Sequence, residues 1–172
     1  WDCVVVDITV LDSVRSFVAE IGRRYGRVDI LVNAAGSTRT VAPTDLDALT
    51  DDVLQEVFAA NAIAPLRLVR ECLPLLRHGT DPVVVQVSSV AARTGQGSNI
   101  AYGAAKAALD ASAVALAKAL GPDIRFVNVA PSALDNDFVP GRSPEFLAKT
   151  VAATPLRRLA RTEEVAASML AA

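Results

Sequence analysis

The chain has 172 residues, a formal net charge of −2, and 52% hydrophobic residues. That suits one domain with a sizeable core. The slight acidity and the lack of a basic run exclude an electrostatic case for nucleic acid. No run of about 18 uninterrupted apolar residues marks a membrane span.

In chain order, "CVVVDI" (3–8) is a β-branched run and predicts a buried strand. Asp12 is placed to N-cap a helix whose Val14, Phe17, Val18, Ile21 and Tyr25 fall at helical spacing, and Gly26 stops it. "VDILVN" (28–33) is the next strand. A loop follows, then a helix over 51–77, which Pro65 should bend or divide. "VVVQVSS" (83–89) is a third strand and "VAARTGQGSN" (90–99) a loop. The Ala-rich helix 102–120 comes next, then a strand "IRFVNVA" (124–130) and a long polar loop. Short helices near 144–153 and from Thr162 close the chain. Helices alternating with short apolar strands predict βαβ units and a parallel sheet, in a single domain over 1–172.

Cys3 and Cys72 are the only cysteines and form no CxxC. They predict two buried, reduced thiols and a cytoplasmic location. His78, the only histidine, lies in the turn-like "LRHGTDP" and reads as a helix-end residue. One histidine excludes most zinc sites and every Ser-His-Asp triad. A serine hydrolase fails besides because Ser89 lacks a G-x-S-x-G elbow and no histidine follows it.

In a parallel α/β sheet, ligands bind beyond the carboxyl ends of the strands. Those ends carry Asp7-Ile8-Thr9, Asn33-Ala34-Ala35-Gly36, Ser88-Ser89 and Ala130-Pro131-Ser132. Tyr102 and Lys106, at i and i+4, share one helix face. An ammonium about 4 Å from a phenolate is worth about 4 kcal/mol at an effective dielectric near 20. That is roughly what a phenol of pKa about 10 needs to work near neutrality. The pair can therefore be a proton-transfer device, or simply a solvated charge beside a half-buried ring. Ser89 can hold a substrate oxygen or act as a turn residue. Asn61, a poor mid-helix choice, can hold a water beside Lys106 or mark a break ahead of Pro65.

Taken together, "DIT", "LVNAAG", Asn61, "VSSVAA", "YGAAK" and "NVAPSALDNDF" resemble the short-chain dehydrogenase/reductase family in order and spacing, with Tyr102 thirteen residues after Ser89. The late "PLRRLARTEEVA" is similar to 3-oxoacyl-carrier-protein reductase-like and alcohol-oxidising members. The resemblance covers nearly the whole chain. It implies an oxidoreductase that transfers a hydride between NAD or NADP and a secondary alcohol or ketone. Tyr102 would be the acid/base, Lys106 its tuner and a ribose ligand, Ser89 the substrate-orienting hydroxyl, and Asn61 the holder of a relay water. Asp7 and Ile8 would meet the adenine. Asn33, Ala34, Ala35 and Gly36 would line the adenosine side, and Pro131 and Asn136 the nicotinamide. A homodimer or homotetramer is implied, packed through the 51–77 and Ala-rich helices.

There are departures. Ala34 replaces the second asparagine of Asn-Asn-Ala-Gly, Ser132 the glycine after Pro131, and Asn136 a common threonine. The Thr-Gly-x-x-x-Gly-x-Gly turn that seats pyrophosphate on a helix N-terminus is nowhere in these residues. "CVVVDI" matches the family's third strand. The expectation is thus a Rossmann-like doubly wound α/β sheet, incomplete, with the first two strands and the last strand absent. Both ends read as cut, and the first strand could close the gap by pairing with "VDILVN". The second functional reading is a family-like chain without turnover.

Overall fold

The structure, a computed structural model, describes residues 2–171; Trp1 and Ala172 lie outside them. Three parallel strands form the sheet: β1 (Ile30–Asn33), β2 (Val83–Val87) and β3 (Arg125–Val129), in the order β1-β2-β3. Val85 stands opposite Val32 on one side and Val127 on the other. Val83, Val84, Val85 and Gln86 are all buried. Such a continuous run, rather than alternation, is what a strand covered on both faces requires.

The helices are α1 (Leu11–Tyr25), α2 (Asp51–Phe58), α3 (Ala64–Arg77), α4 (Ala91–Thr94), α5 (Ile100–Leu120), α6 (Pro144–Ala153) and α7 (Thr162–Leu170). α3 touches α1, β1 and α5, α5 packs on β3, and α7 touches β3. Val14, Leu68, Val69, Cys72, Leu76, Val84 and Ile124 form one apolar cluster. Val53, Val57, Ala91, Ala101, Tyr102 and Ala105 form a second, which carries the phenol. The fold is α/β and Rossmann-like, with an incomplete sheet.

Four expectations change. Residues 3–8 form no strand: Val4 and Val5 are exposed and only Val6 packs against the core. A β-branched run becomes a strand only beside a partner edge, and this one does not pair with β1. Arg67 instead holds it by donating to the Ile8 and Thr9 carbonyls. Asp12 does not cap α1. Val10 occupies the cap position without a side-chain bond, and Ser13 Oγ accepts from the Asp7 N–H at 2.9 Å. Cys3 is exposed, while Cys72 is buried and its thiol is pushed up to about 11 by desolvation. Finally, α5 is long and apolar enough by composition to cross a membrane, despite Lys106, Asp110 and Lys118. Here it lies against β3, α2 and α4, with Ala101, Ala105, Leu109 and Ala113 buried.

Other signals hold. Gly26 ends α1 at φ +70°, the left-handed region that glycine enters without a Cβ penalty. His78 closes α3. Pro65 divides the 51–77 helix: between α2 and α3 lies one π turn, Ala59–Ile63. Proline has no N–H to return to the carbonyl of Asn61, so the i→i−4 register breaks there.

Candidate active site

The π turn places Asn61 at 0% exposure. Its Nδ2 donates to the Ser37 carbonyl at 2.7 Å and to the Val57 carbonyl at 2.8 Å. Its Oδ1 is buried with no partner. A Cβ added to Gly36 would stand 2.6 Å from that oxygen and 3.9 Å from Lys106 Nζ. Gly36 therefore packs against an unpaired acceptor and close to an ammonium, where a side chain would not fit.

Lys106 is 4% exposed. Its Nζ donates to the Val87 carbonyl at 2.7 Å, at the last pair of β2 with β3. Burial drags the ammonium down to about 8, against the partial help of Asp110. Its Nζ lies 5.8 Å from the centroid of the Tyr102 ring.

Tyr102 stands in the first turn of α5, whose start is set by Asn99. The Asn99 Oδ1 accepts from the Tyr102 N–H at 2.7 Å, and its Nδ2 donates to the Arg39 carbonyl at 2.7 Å. Burial raises the phenol above its ordinary value, partly offset by a bond with the Ser89 hydroxyl and by the charge of Arg142. The tuning expected of Lys106 is thus not what this geometry shows: the ammonium faces the ring and serves Val87. Ser89 follows β2, and its Oγ also accepts from the Ala91 N–H at 3.1 Å. Phe138, on the loop after β3, leans on the Tyr102 ring with centroids 5.9 Å apart.

A family model described as enoyl-(acyl carrier protein) reductase matches residues 2–171. The 3-oxoacyl-acyl-carrier-protein reductase of Thermotoga maritima is 31% identical over 98% of this chain and 68% of its own. The chain belongs to the short-chain dehydrogenase/reductase family. Glucose and ribitol dehydrogenase homolog 2 of Arabidopsis thaliana is 30% identical over 96% of this chain. A solved structure from Burkholderia xenovorans, described as a short-chain dehydrogenase/reductase, superposes with TM-score 0.87 at 31% identity, covering 96% of this chain and 66% of that one. The chain spans only 56% of the plant relative's length. Members of this family are NAD(P)-dependent oxidoreductases.

Among the family-implied cofactor positions, Ala34 and Ala35 are exposed and Gly36 is half-buried, as is Pro131, whose carbonyl accepts from the Val90 N–H at 3.1 Å. Asn33 is turned inward: its Nδ2 donates to Gln86 Oε1 at 3.0 Å and reaches the Pro65 carbonyl at 3.5 Å. It ties the end of β1 to β2 and to the first turn of α3. Asn136 is exposed, and its Oδ1 accepts from the Phe138 N–H at 3.2 Å within its own loop. Asp7 uses Oδ1 to accept from the N–H and hydroxyl of Thr9, which hold its carboxyl below the usual range. The residues overlooked in the sequence are Gln86, Asn99, Phe138 and Arg142. Asn99 alone carried a local signal, an asparagine just ahead of a helix.

Proposed function

We propose that this chain carries the reaction centre of an oxidoreductase that interconverts a secondary alcohol and its ketone. Tyr102 moves the proton at the substrate oxygen, and Ser89 holds that oxygen by a hydrogen bond. A nicotinamide dinucleotide, NAD or NADP, supplies the hydride chemistry when bound. The observation that carries this reading is the convergence at Gly36: a buried ammonium and an unpaired buried amide oxygen both lie beside that glycine.

The residues suit such a group. Lys106 uses one of three donors on Val87, which leaves N–H groups for a ribose hydroxyl. Gly36, Ala34 and Ala35 let backbone approach closely. Asp7 keeps Oδ2, and Ile8 its N–H, for an adenine edge; Pro131 and Asn136 lie on the nicotinamide side of the reading. Asn61 Oδ1 can hold a water between itself and Lys106, so that a proton has a route from the phenol side toward solvent. The buried phenol resists ionisation, so it holds its proton as an acid and yields it only as the substrate oxygen takes up charge.

Exposed Ala108, Ala111 and Ala115 on α5, beside an apolar groove of about 510 Å³ lined by Ile63, Leu66, Leu73, Leu116 and Leu120, support a homodimer or homotetramer packed through α3 and α5.

Tyr102→Phe tests the reading. Alcohol oxidation should fall by roughly 10²- to 10⁴-fold while the dinucleotide Kd changes little. Retained turnover would remove Tyr102 from the proton step.

A further inference from the structure

Residues 7–9 form a turn that fixes its own shape. Asp7 Oδ1 accepts from the Thr9 N–H at 2.8 Å and from the Thr9 hydroxyl at 2.6 Å. The Asp7 carbonyl accepts from the Val10 N–H at 3.2 Å, and the Asp7 N–H donates to Ser13 Oγ at 2.9 Å. All of these bonds lie within residues 7–13, so they tie the turn only to the start of α1. The segment before it forms no strand, and only its Val6 packs against the core. Arg67 of α3 supplies the long-range bonds. Its Nη1 donates to the Ile8 carbonyl at 3.3 Å and to the Thr9 carbonyl at 2.5 Å. The side chain is half-buried and lines one groove with Leu11, Ile63 and Leu66.

The same end of α3 holds the end of β1. The Pro65 carbonyl, two residues earlier, accepts from Asn33 Nδ2 at 3.5 Å, and Asn33 leads into Ala34-Ala35-Gly36. Arg67 therefore references the 7–9 turn to the helix end that also holds the last residue of β1.

We infer that Arg67 is a positioning residue for the adenine end of a bound dinucleotide. It touches no reacting atom. It holds the Asp7-Ile8 edge at a set distance from the Asn33–Gly36 segment, so that one adenosine meets both. The inference rests on the reading above, in which Asp7 and Ile8 meet the adenine. A turn held in place before binding acts on affinity, because a loose one must be ordered as the ligand arrives.

An NMR titration of the isotope-labelled chain with adenosine, followed at the Ile8 and Thr9 amides, tests this without turnover. Nicotinamide mononucleotide, which belongs to the other end of the dinucleotide, is the control. Arg67→Met keeps an apolar stem and removes both bonds. It should weaken adenosine binding by about fivefold or more and leave the mononucleotide within about twofold. Arg67→Lys keeps the charge without the planar guanidinium, so its adenosine affinity should fall between the two. A folded Arg67→Met protein with the parent's adenosine affinity would overturn the inference. So would equal weakening of both ligands, which a general loosening of the fold produces, or a parent chain whose turn amides do not respond to adenosine. If Arg67→Met does not fold, Arg67→Lys decides alone: a loss of about twofold or more confined to adenosine supports the inference, and no loss overturns it. Adenosine binding that depends on Arg67, in a protein that oxidises no alcohol with NAD or NADP, would refute the proposed activity and leave this inference standing.

Discussion

Lys106 lies one helical turn beyond Tyr102, yet its ammonium stands 5.8 Å from the centroid of the Tyr102 ring and donates to the Val87 carbonyl at 2.7 Å. The two side chains share a face, with the ammonium held at the Val87 carbonyl. Each is desolvated, the phenol upward and the ammonium down to about 8. This site stores unfavourable burial at both groups.

The stored penalty has a pH signature. The folded Lys106 titrates near 8 instead of its ordinary 10.5, so the unfolded state binds more protons between those values and stability rises with pH across that window. Below about 8 both states carry the charge and the full penalty applies, about 3 kcal/mol by linkage. Lys106→Met removes the titration and leaves Val87 without its donor at every pH. The stability of Lys106→Met relative to the parent should therefore be highest below pH 8 and decline by about 3 kcal/mol by pH 10.5. Urea melts at pH 7 and pH 10 measure it; a pH-independent difference would contradict the assignment.

Gly36→Ala should disturb Asn61 rather than the backbone. The new Cβ would meet Asn61 Oδ1 at 2.6 Å, and that amide is pinned by two carbonyls. Overpacking of this kind costs about 1–3 kcal/mol. In an Asn61→Ala background the same substitution should cost less than about half as much, a coupling that a double-mutant cycle reads directly. Additive costs would mean that the clash lies elsewhere.

Asn99 links the start of α5 to the loop at Arg39. Asn99→Ala loses a helix cap and a buried amide bond to a carbonyl, together about 2 kcal/mol. Asn99→Asp keeps the cap acceptor and loses the donors, so its denaturation midpoint should fall between the two. An Asp variant as weak as the Ala variant would show that the cap is not what holds Tyr102's turn in place.

Legibility followed the range of each signal. β2 and α5 were readable because a β-branched run and an alanine-rich run are local facts. Tyr102, Lys106, Ser89 and Asn61 were readable as a set, and Pro65 pointed to the break that houses Asn61. Residues 3–8 were misread because β propensity is satisfied only by a neighbouring strand, which lies outside any local window. Helical spacing placed Lys106 on the face of Tyr102 but could not fix where a four-carbon stem ends. Arg142 was invisible for a related reason: its place beside the site depends on how the loop after β3 folds back.

The free side of β1 yields the last prediction. Ile30 and Val32 are 64% and 43% exposed, on a strand paired only with β2. An apolar strand with an open edge invites pairing with another chain. The 172-residue chain made alone should therefore associate as its concentration rises, and Val32→Lys should reduce that association by placing a charge on the edge. Without a glycine-rich pyrophosphate turn in these residues, it should also bind NADH or NADPH weakly, with Kd on the order of millimolar, where pyrophosphate contacts at a helix N-terminus are lacking. Sedimentation at several concentrations and a fluorescence titration with each dinucleotide check both statements. A monomer with a cooperative melt and micromolar binding would show that the three-stranded sheet suffices for the site.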